Sequence, residues 1–369
     1  MDLNEIQASI FINALPAVGP ARFHSLLQVF KSAKETVAAG PDAWRELPSF
    51  GETTVNQIRL EWDTARRCAE EDLELIQKEN VRVLLWSSDN YPRLLRELSD
   101  APPIIYVRGS EPMFDPPAVA LVGSRKCSYY GEKVARRLSA DLAEAGISTV
   151  SGFARGIDSH VHDETLVHGG RTWAVLGSGL SVLYPSENKR LAERIEASGA
   201  LISEFPMKTT PFPANFPRRN RIIAGLSQGT VVIEGQIKSG ALITARLAAD
   251  AGREVYAVPG PITSALSAGP HYLLHMGAKM VTNVDDILEE IPGLADVSHQ
   301  GSGGAPGENN PGLTEEENRL LLFLGDVPVN KDVLALKIKK DPRDLAAVLL
   351  EMELRGLVRL LPGGAIVRK

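Results

Sequence analysis

The stretch AVALVGSRKCSYYG, residues 118–131, decides the fold. Five apolar residues follow one another without polar alternation, and a glycine and a serine then end the run before a segment with a helical pattern. An unbroken apolar strand that turns directly into a helix is typical of a parallel sheet covered by helices on both faces. The stretch therefore predicts the first strand of an α/β domain.

Further apolar runs follow along the chain, and helical patterns separate them. These runs are ISTV from Ile147, TWAVL from Thr172, ALIS from Ala200, TVVIE from Thr230 and EVYAV from Glu254. Their alternation with helices predicts a doubly wound parallel α/β sheet of extended Rossmann-like type over residues 81–292.

The first 80 residues predict an N-terminal helical domain of short helices, of SAM or helix-hairpin-helix type. It contains a near repeat, LPAVGPA at 15–21 and LPSFGET at 47–53, and each copy precedes an amphipathic helix. Such turns can offer backbone amides to phosphate. Because residues 1–111 hold 17 acidic and 12 basic side chains, a packing module is the favoured interpretation.

Two segments connect these parts to their neighbours. VRVLLW from Val81 predicts a strand, and residues 91–109, YPRLLRELSDAPPIIYVRG, predict an extended bridge whose prolines oppose helix formation. Residues 293–312 are rich in Gly, Pro, Ser and Asn and predict a flexible linker. Residues 313–369 then predict three helices and a hairpin, which together make a C-terminal winged helix.

Composition excludes several classes of protein. No run approaches the roughly 20 apolar residues that a membrane helix needs, and the acidic start is unlike a signal peptide, so we expect a cytoplasmic protein with no membrane contact. Cys68 and Cys127 lack CxxC spacing, which opposes a disulfide framework or a thiolate zinc site. The net charge of -6 means that any nucleic-acid site must be local.

The residues that follow each predicted strand point to a phosphate-bearing ligand. Glycine stands beside serine or a cation at nearly every strand exit, and Arg125, Arg155 and Lys238 lie near these turns. Glycine lets a ligand approach the main chain, and the following helix offers unpaired amides. Packing alone explains any single glycine turn, but five on one edge favour phosphate. Neither GxGxxG nor GxxxxGK[ST] is present, so we expect no nucleotide cofactor.

Catalytic or metal-binding patterns are sparse. In GIDSHVHDE, residues 156–164, Asp158 and His162 are four apart and share a helix face. The pair lacks HExxH spacing, and an aspartate near a helix start is ordinarily a cap. We therefore predict neither a metal nor a catalytic residue.

The string FPRRNRIIAGLS, residues 216–227, is the most specific sign of nucleic-acid binding. Three arginines surround Asn220 at an expected helix start between two strands of the sheet. A solvated charge run is the alternative. Phe212 and Phe216 are candidates for stacking on unpaired bases, although they suit a core equally well.

Together these residues resemble the DNA-processing protein A family, also called Smf. The matching stretches are YPRLLRELSDAPPIIYVRG, ALVGSRKCSYYG, VSGFARGID with His162, AVLGSGLSVLYP, ISEFP, FPRRNRIIAGLS, IEGQIKSGALITA and YAVPGPI. The resemblance implies a homodimer without catalytic activity that binds incoming single-stranded DNA in natural transformation, protects it and helps load the RecA recombinase.

The chain departs from the family pattern at Gly235, Ala241 and His271. The resemblance and the glycine turns together imply a set of nucleic-acid-binding residues. The implied residues are Gly123, Ser124, Arg125, Gly152, Arg155, Gly156, Arg219, Asn220, Arg221, Lys238, Ser239, Gly240 and Thr244.

Two other functions stay open at this point. A nucleoside-monophosphate phosphoribohydrolase would share the sheet and use Glu234 as its acid, but the PGGxGT signature of that class is missing. A regulator would read duplex DNA with the helix at 342–355. That helix carries Asp344, Glu351 and Glu353 beside its arginines, so partner contact or dimerisation suits the winged tail better.

Overall fold

The computed structural model describes residues 3–110, 114, 117–291, 313–324, 328–338, 340–361 and 363–368. The expected linker at 293–312 lies outside the described residues. The chain forms two compact units. The first comprises Met1–Cys127 with Val134–Ser298, and the second comprises Ser128–Lys133 with His299–Lys369.

Four helices open the first unit. They are α1 (Glu5–Asn13), α2 (Pro20–Phe30), α3 (Ala33–Trp44) and α4 (Glu52–Lys78). Gly19 and Gly51 of the near repeat directly precede α2 and α4, so the repeat marks helix starts. The expectation of short helices is wrong for α4, which has 27 residues. No glycine or proline interrupts α4, and its apolar residues Val55, Ile58, Ala65 and Ala69 line one buried face.

A nine-stranded sheet forms the centre of the first unit. Its strands are β1 (Arg82–Leu85), β2 (Ile104–Arg108), β3 (Ala118–Val122), β4 (Ser148–Ser151), β5 (Thr172–Val175), β6 (Ala200–Ser203), β7 (Gly229–Val232), β8 (Glu254–Ala257) and β9 (Lys279–Met280). The spatial order is β1-β2-β6-β5-β4-β3-β7-β8-β9. The strands from β3 to β9 pair in parallel, whereas β2 is antiparallel to β1 and to β6. The sequence predicts β3 to β8, but it does not predict β9.

The expected bridge at 91–109 contains regular structure. Arg93–Arg96 form a one-turn helix, α5, directly after Pro92, and Ile104–Arg108 form β2. The expectation that proline would exclude a helix here is wrong, because proline opposes the helix interior but fits the start of a helix, where no intrahelical amide bond is lost.

Seven helices connect or follow the parallel strands. They are α6 (Tyr129–Glu144), α7 (Ile157–Val167), α8 (Lys189–Ser198), α9 (Asn215–Gly225), α10 (Gly240–Asp250), α11 (Ala268–His275) and α12 (Asp285–Leu288). Successive strand residues point to opposite faces. Ala174 and Leu201 accordingly join the core shared with α1 to α4, while Trp173 and Ile202 join a second core beneath α9 and α10.

The second unit is a winged helix. It contains α13 (Glu315–Phe323), β10 (Val329–Asn330), α14 (Lys331–Ile338), α15 (Pro342–Leu354), β11 (Val358–Leu361) and β12 (Ala365–Arg368). Its sheet has the order β10-β12-β11. Among the described residues of both units, no helix combines the length and the apolar character needed to cross a bilayer.

A buried carboxylate joins the helical front to the sheet. Asp72 of α4 is 3% exposed, and both of its carboxylate oxygens lie 3.1 Å from the backbone nitrogen of Met207. Burial raises the pKa of Asp72 to about 6, and the hydrogen bond from Met207 opposes this rise only in part.

We predict that Asp72→Asn removes a pH dependence from the free energy of unfolding. The pKa of Asp72 is higher in the folded than in the unfolded protein, so the folded state binds this proton more tightly. The contribution of Asp72 to the free energy of unfolding is therefore complete below about pH 4, and it falls by about 3 kcal/mol as the pH rises to 6 and beyond. Urea unfolding of both proteins from pH 4 to 7.5 checks this. A constant difference between wild type and variant over that range would contradict the assignment.

Candidate functional site

An open cavity of about 770 Å³ lies beyond the carboxyl ends of the parallel strands. It borders β3, which stands between β4 and β7, so the chain order along the sheet reverses there. Ligands of open α/β sheets bind at such switch points. The lining residues come mostly from the turns after β3, β4, β5, β7 and β8 and from α7, α9 and α10. They include Gly123, Ser124, Arg125, Asp158, Tyr184, Phe216, Arg219, Asn220, Ser239, Gly240 and Thr244.

Two glycines allow the turns after β3 and β4 to pack closely. A Cβ atom on Gly123 would lie 2.5 Å from the Ile157 side chain. Gly156 has a φ of +74°, and a Cβ there would lie 2.4 Å from the carbonyl oxygen of Ser124. Side chains at either position would push the turns apart. These glycines therefore fix the shape of the cavity wall.

Arg219 lies at the base of the cavity and is 3% exposed. Its guanidinium donates to the carbonyl oxygen of Gly152 at 2.5 Å and to that of Val175, which ties α9 to β4 and β5. The carboxyl group of Asp158 lies beside it. A Cβ on Gly152 would lie 2.7 Å from Asp158 Oδ2 and 2.8 Å from Arg219 Nη2. Burial lowers the pKa of Arg219 to about 10, so the residue stays charged at neutral pH.

The amino terminus of α10 opens into the same cavity. Ser239 is the N-cap residue of α10 and has an extended backbone conformation, and its side chain makes no capping hydrogen bond. Its buried Oγ has no hydrogen-bond partner among the described residues. Asn220 Nδ2 donates to the carbonyl oxygen of Gly240 at 3.2 Å, which holds α9 against this helix start. Free helix amides and a hydroxyl are suited to an anion.

An aromatic surface lines the same cavity as the amino terminus of α10. The guanidinium of Arg125 lies over the ring of Phe216, 5.1 Å from its centroid, and the ring of Tyr184 lies 5.9 Å from Phe216. Gly177 leaves room for the Phe216 ring, because a Cβ there would approach it to 2.7 Å. Phe212 is 62% exposed and is not among the lining residues.

The structure divides the arginine cluster of residues 218–221 between two places. Arg219 reaches the cavity, whereas Arg221 is buried and pairs with Glu204 at 2.6 Å and with Asp100 at 3.1 Å. Arg218 also pairs with Glu204, at 2.9 Å. Positions 218 and 221 share a helix face, and position 219 is rotated by about 100° from 218. The expected role of Arg221 in the site therefore has no support from its position.

The remaining expected residues surround the cavity at different distances. Gly152 and Gly156 are not among the lining residues, but each packs closely against residues that are. Arg155 is exposed and paired with Glu187, and it is not among the lining residues. Lys238 is exposed in the turn before α10, next to lining residue Ser239. Sequence reasoning missed Tyr184 and the position of Asp158 near Arg219, since no short motif indicates either.

His162 is buried, and its ring contacts a neighbouring threonine. Its Nδ1 lies 2.7 Å from Thr172 Oγ1, and burial lowers the pKa of its imidazole to about 3. Within the described ranges no group of His, Cys, Asp and Glu side chains has the arrangement of a metal site.

The departures from the family pattern are local. A methyl group at Gly235 would lie 2.7 Å from Ser239 Oγ, and His271 Nε2 lies 3.0 Å from the carbonyl oxygen of Gly260.

Fold and site define a Rossmann-like protein with an open cavity at the switch point of its sheet and an added winged helix. The family model for DNA recombination-mediator protein A matches residues 82–292, and the DprA winged helix domain matches residues 304–364. Protein Smf of Escherichia coli is 38% identical over 318 residues, which cover 85% of this chain and 84% of that protein. The chain therefore belongs to the DNA-processing protein A (DprA/Smf) family.

Solved structures agree with this assignment. The crystal structure of DNA processing protein A from Streptococcus pneumoniae matches with a TM-score of 0.66 and 32% identity, and the match covers 79% of this chain and 99% of that one. DNA processing protein A from Helicobacter pylori, whose structure is described for its single-stranded DNA binding mode, matches with a TM-score of 0.51 and 27% identity over 56% of this chain and 93% of that one.

We predict that Arg221→Ala destabilises the fold by about 3 kcal/mol, because it removes a partner from the buried carboxylate of Glu204. Arg125→Ala should change the free energy of unfolding by less than about 0.5 kcal/mol, since Arg125 is exposed. Urea unfolding of the two variants measures both values. Equal stabilities would show that Arg221 has no structural role.

Proposed function

We propose that this chain binds single-stranded DNA through the cavity at the switch point, without covalent chemistry. One observation carries the proposal: the amino terminus of α10 with Ser239 and the side chains of Arg125 and Arg219 line one cavity. Each of these groups favours a phosphate oxygen, and charge-assisted bonds from arginine are the strongest of them.

The aromatic surface supports a single strand over a duplex. Phe216 and Tyr184 line the same cavity as Ser239 and Gly240 at the start of α10. Unpaired bases stack on aromatic side chains in proteins that bind single strands without sequence preference, whereas the bases of a duplex are already stacked. The structure of the Helicobacter pylori relative, described for its single-stranded DNA binding mode, supports the same ligand class.

The finer parts of the proposal come from the family resemblance. We propose that the chain acts in the cytoplasm during natural transformation, protects incoming single strands and helps load RecA onto them. A homodimer fits the free edge of the sheet. Tyr272 and Met276 are four apart on α11 and are 45% and 68% exposed, and Met280 on edge strand β9 is 55% exposed. Apolar side chains beside a free edge are suited to a second copy.

The sequence alternatives receive less support from the structure. Glu234 is 3% exposed and is absent from the residues that line the cavity, so its position gives no support to a hydrolytic acid. On α15 the described side chains Asp344 and Glu351 are exposed, which disfavours a phosphate backbone. Binding of a single strand at the switch point is therefore the function that the geometry supports best.

We predict that Arg125→Ala weakens binding of oligo-dT by about tenfold, the loss expected for one charge-assisted phosphate contact. The slope of log affinity against log salt should fall by about 0.7 for the lost contact. Lys238→Ala should give a smaller loss, because Lys238 lies beside the cavity and not in its lining. Fluorescence anisotropy of a labelled oligonucleotide over a salt titration measures these effects.

The matched control is Arg246→Ala. Arg246 lies on α10, its side chain is 86% exposed, and it faces Asp250 at 3.9 Å outside the cavity lining. The substitution removes the same charge from the protein. If Arg246→Ala and Arg125→Ala lowered affinity equally, the effect would be one of net charge, and the cavity would not be the binding site. A duplex of the same length, added as competitor, tests the preference for single strands.

A further inference from the structure

The helix α15 of the winged unit carries apolar side chains on two opposite faces. Leu345, Leu349 and Met352 are 1%, 2% and 0% exposed and form the core of the unit. On the other side Leu350 and Leu354 are 54% and 83% exposed. A helix that is apolar on all sides is normally covered on all sides. The described part of the winged unit leaves this second face open.

The open face has further apolar residues and an acidic border. Ala346 and Ala347 are exposed at the spacing that continues the leucine stripe, so the stripe runs over residues 346, 347, 350 and 354. Asp344 and Glu351 are exposed along one edge of it. At the end of the helix, Arg355 pairs with Glu317. Carboxylates beside leucines repel a phosphate backbone, so duplex DNA does not suit this face.

Two further occupants fit poorly. Glu351 lies at the edge of the stripe and near the midpoint of its length, so an antiparallel two-fold pairing of α15 with a second copy would bring the two Glu351 carboxylates close together. The segment 293–312 of the same chain contains no lysine or arginine and few apolar residues, so it complements neither the stripe nor its border.

We propose that α15 is a docking surface for an amphipathic helix of a partner protein, with an aliphatic stripe bordered by lysine or arginine. The aliphatic stripe would cover Leu350 and Leu354, and the basic border would face Asp344 and Glu351. Such pairing combines apolar burial for affinity with opposite charges for orientation. The surface lies in the second unit, and the proposal is independent of DNA binding by the cavity.

Two synthetic helical peptides test the charge requirement. They have equal length and the same leucine stripe, and one is bordered by lysine and the other by glutamate. With the full-length protein, fluorescence anisotropy should show binding of the lysine peptide and affinity at least about tenfold weaker for the glutamate peptide. The double variant Asp344→Lys with Glu351→Lys should reverse this preference, and it keeps both leucines.

Serine substitutions test the apolar stripe. The double variant Leu350→Ser with Leu354→Ser should weaken binding of the lysine peptide by about tenfold or more, because burial of two leucines is lost. Leu60→Ser is the control, since Leu60 is 85% exposed on α4 of the first unit. Thermal melting followed by circular dichroism confirms that each variant is folded, and unchanged oligo-dT affinity shows that the first unit is intact.

Several outcomes would overturn the proposal. Equal affinity for the two peptides, or equal loss with Leu60→Ser, would show unspecific adhesion. No binding of either peptide would reject the surface. Self-association in sedimentation experiments that Leu354→Ser abolishes would assign the face to a second copy, and duplex binding that the same variant abolishes would assign it to DNA.

Discussion

A guanidinium group buried at the end of a parallel sheet needs hydrogen-bond acceptors, and this need organises the site. Arg219 obtains two main-chain carbonyl oxygens, from Gly152 and Val175, and the carboxyl group of Asp158 lies beside it. An unpaired buried charge would cost several kcal/mol, so these contacts must form together. Through them α9 is fixed against β4 and β5, and a positive charge stays at the base of the cavity.

The net charge of the whole chain explains why a binding site for a polyanion has to be confined to one small region. The net charge is -6, and exposed arginines such as Arg155 are already paired with carboxylates. Long-range attraction for a polyanion is therefore weak. Under the proposed function, we therefore expect affinity to come from short contacts at the cavity, made by the helix amides of α10 and by Ser239, Arg125 and Arg219. A strong dependence on a few residues follows from this arrangement.

Sequence patterns predicted the six parallel strands β3 to β8 within one or two residues but missed β9, and eight of the thirteen expected site residues line the cavity. Unbroken apolar runs have few alternatives to a covered parallel sheet, and glycine turns after strands must meet at one edge. The patterns failed where distant contacts decide. The carboxylate of Glu204 draws Arg221 and Arg218 away from Arg219. The position of Tyr184 beside Phe216 depends on tertiary packing, which no short motif encodes.

The helices α1 to α4 and one face of the sheet share a single apolar core that includes Phe11, Trp44, Ala174 and Leu201. The two parts therefore belong to one cooperative unfolding unit, even though sequence patterns suggest a boundary near residue 80. A chain shortened at that boundary would expose the strand side chains that α1 and α4 now cover. Such a fragment would be prone to aggregate, and its loss of DNA binding would carry no information about direct contacts between the front helices and DNA.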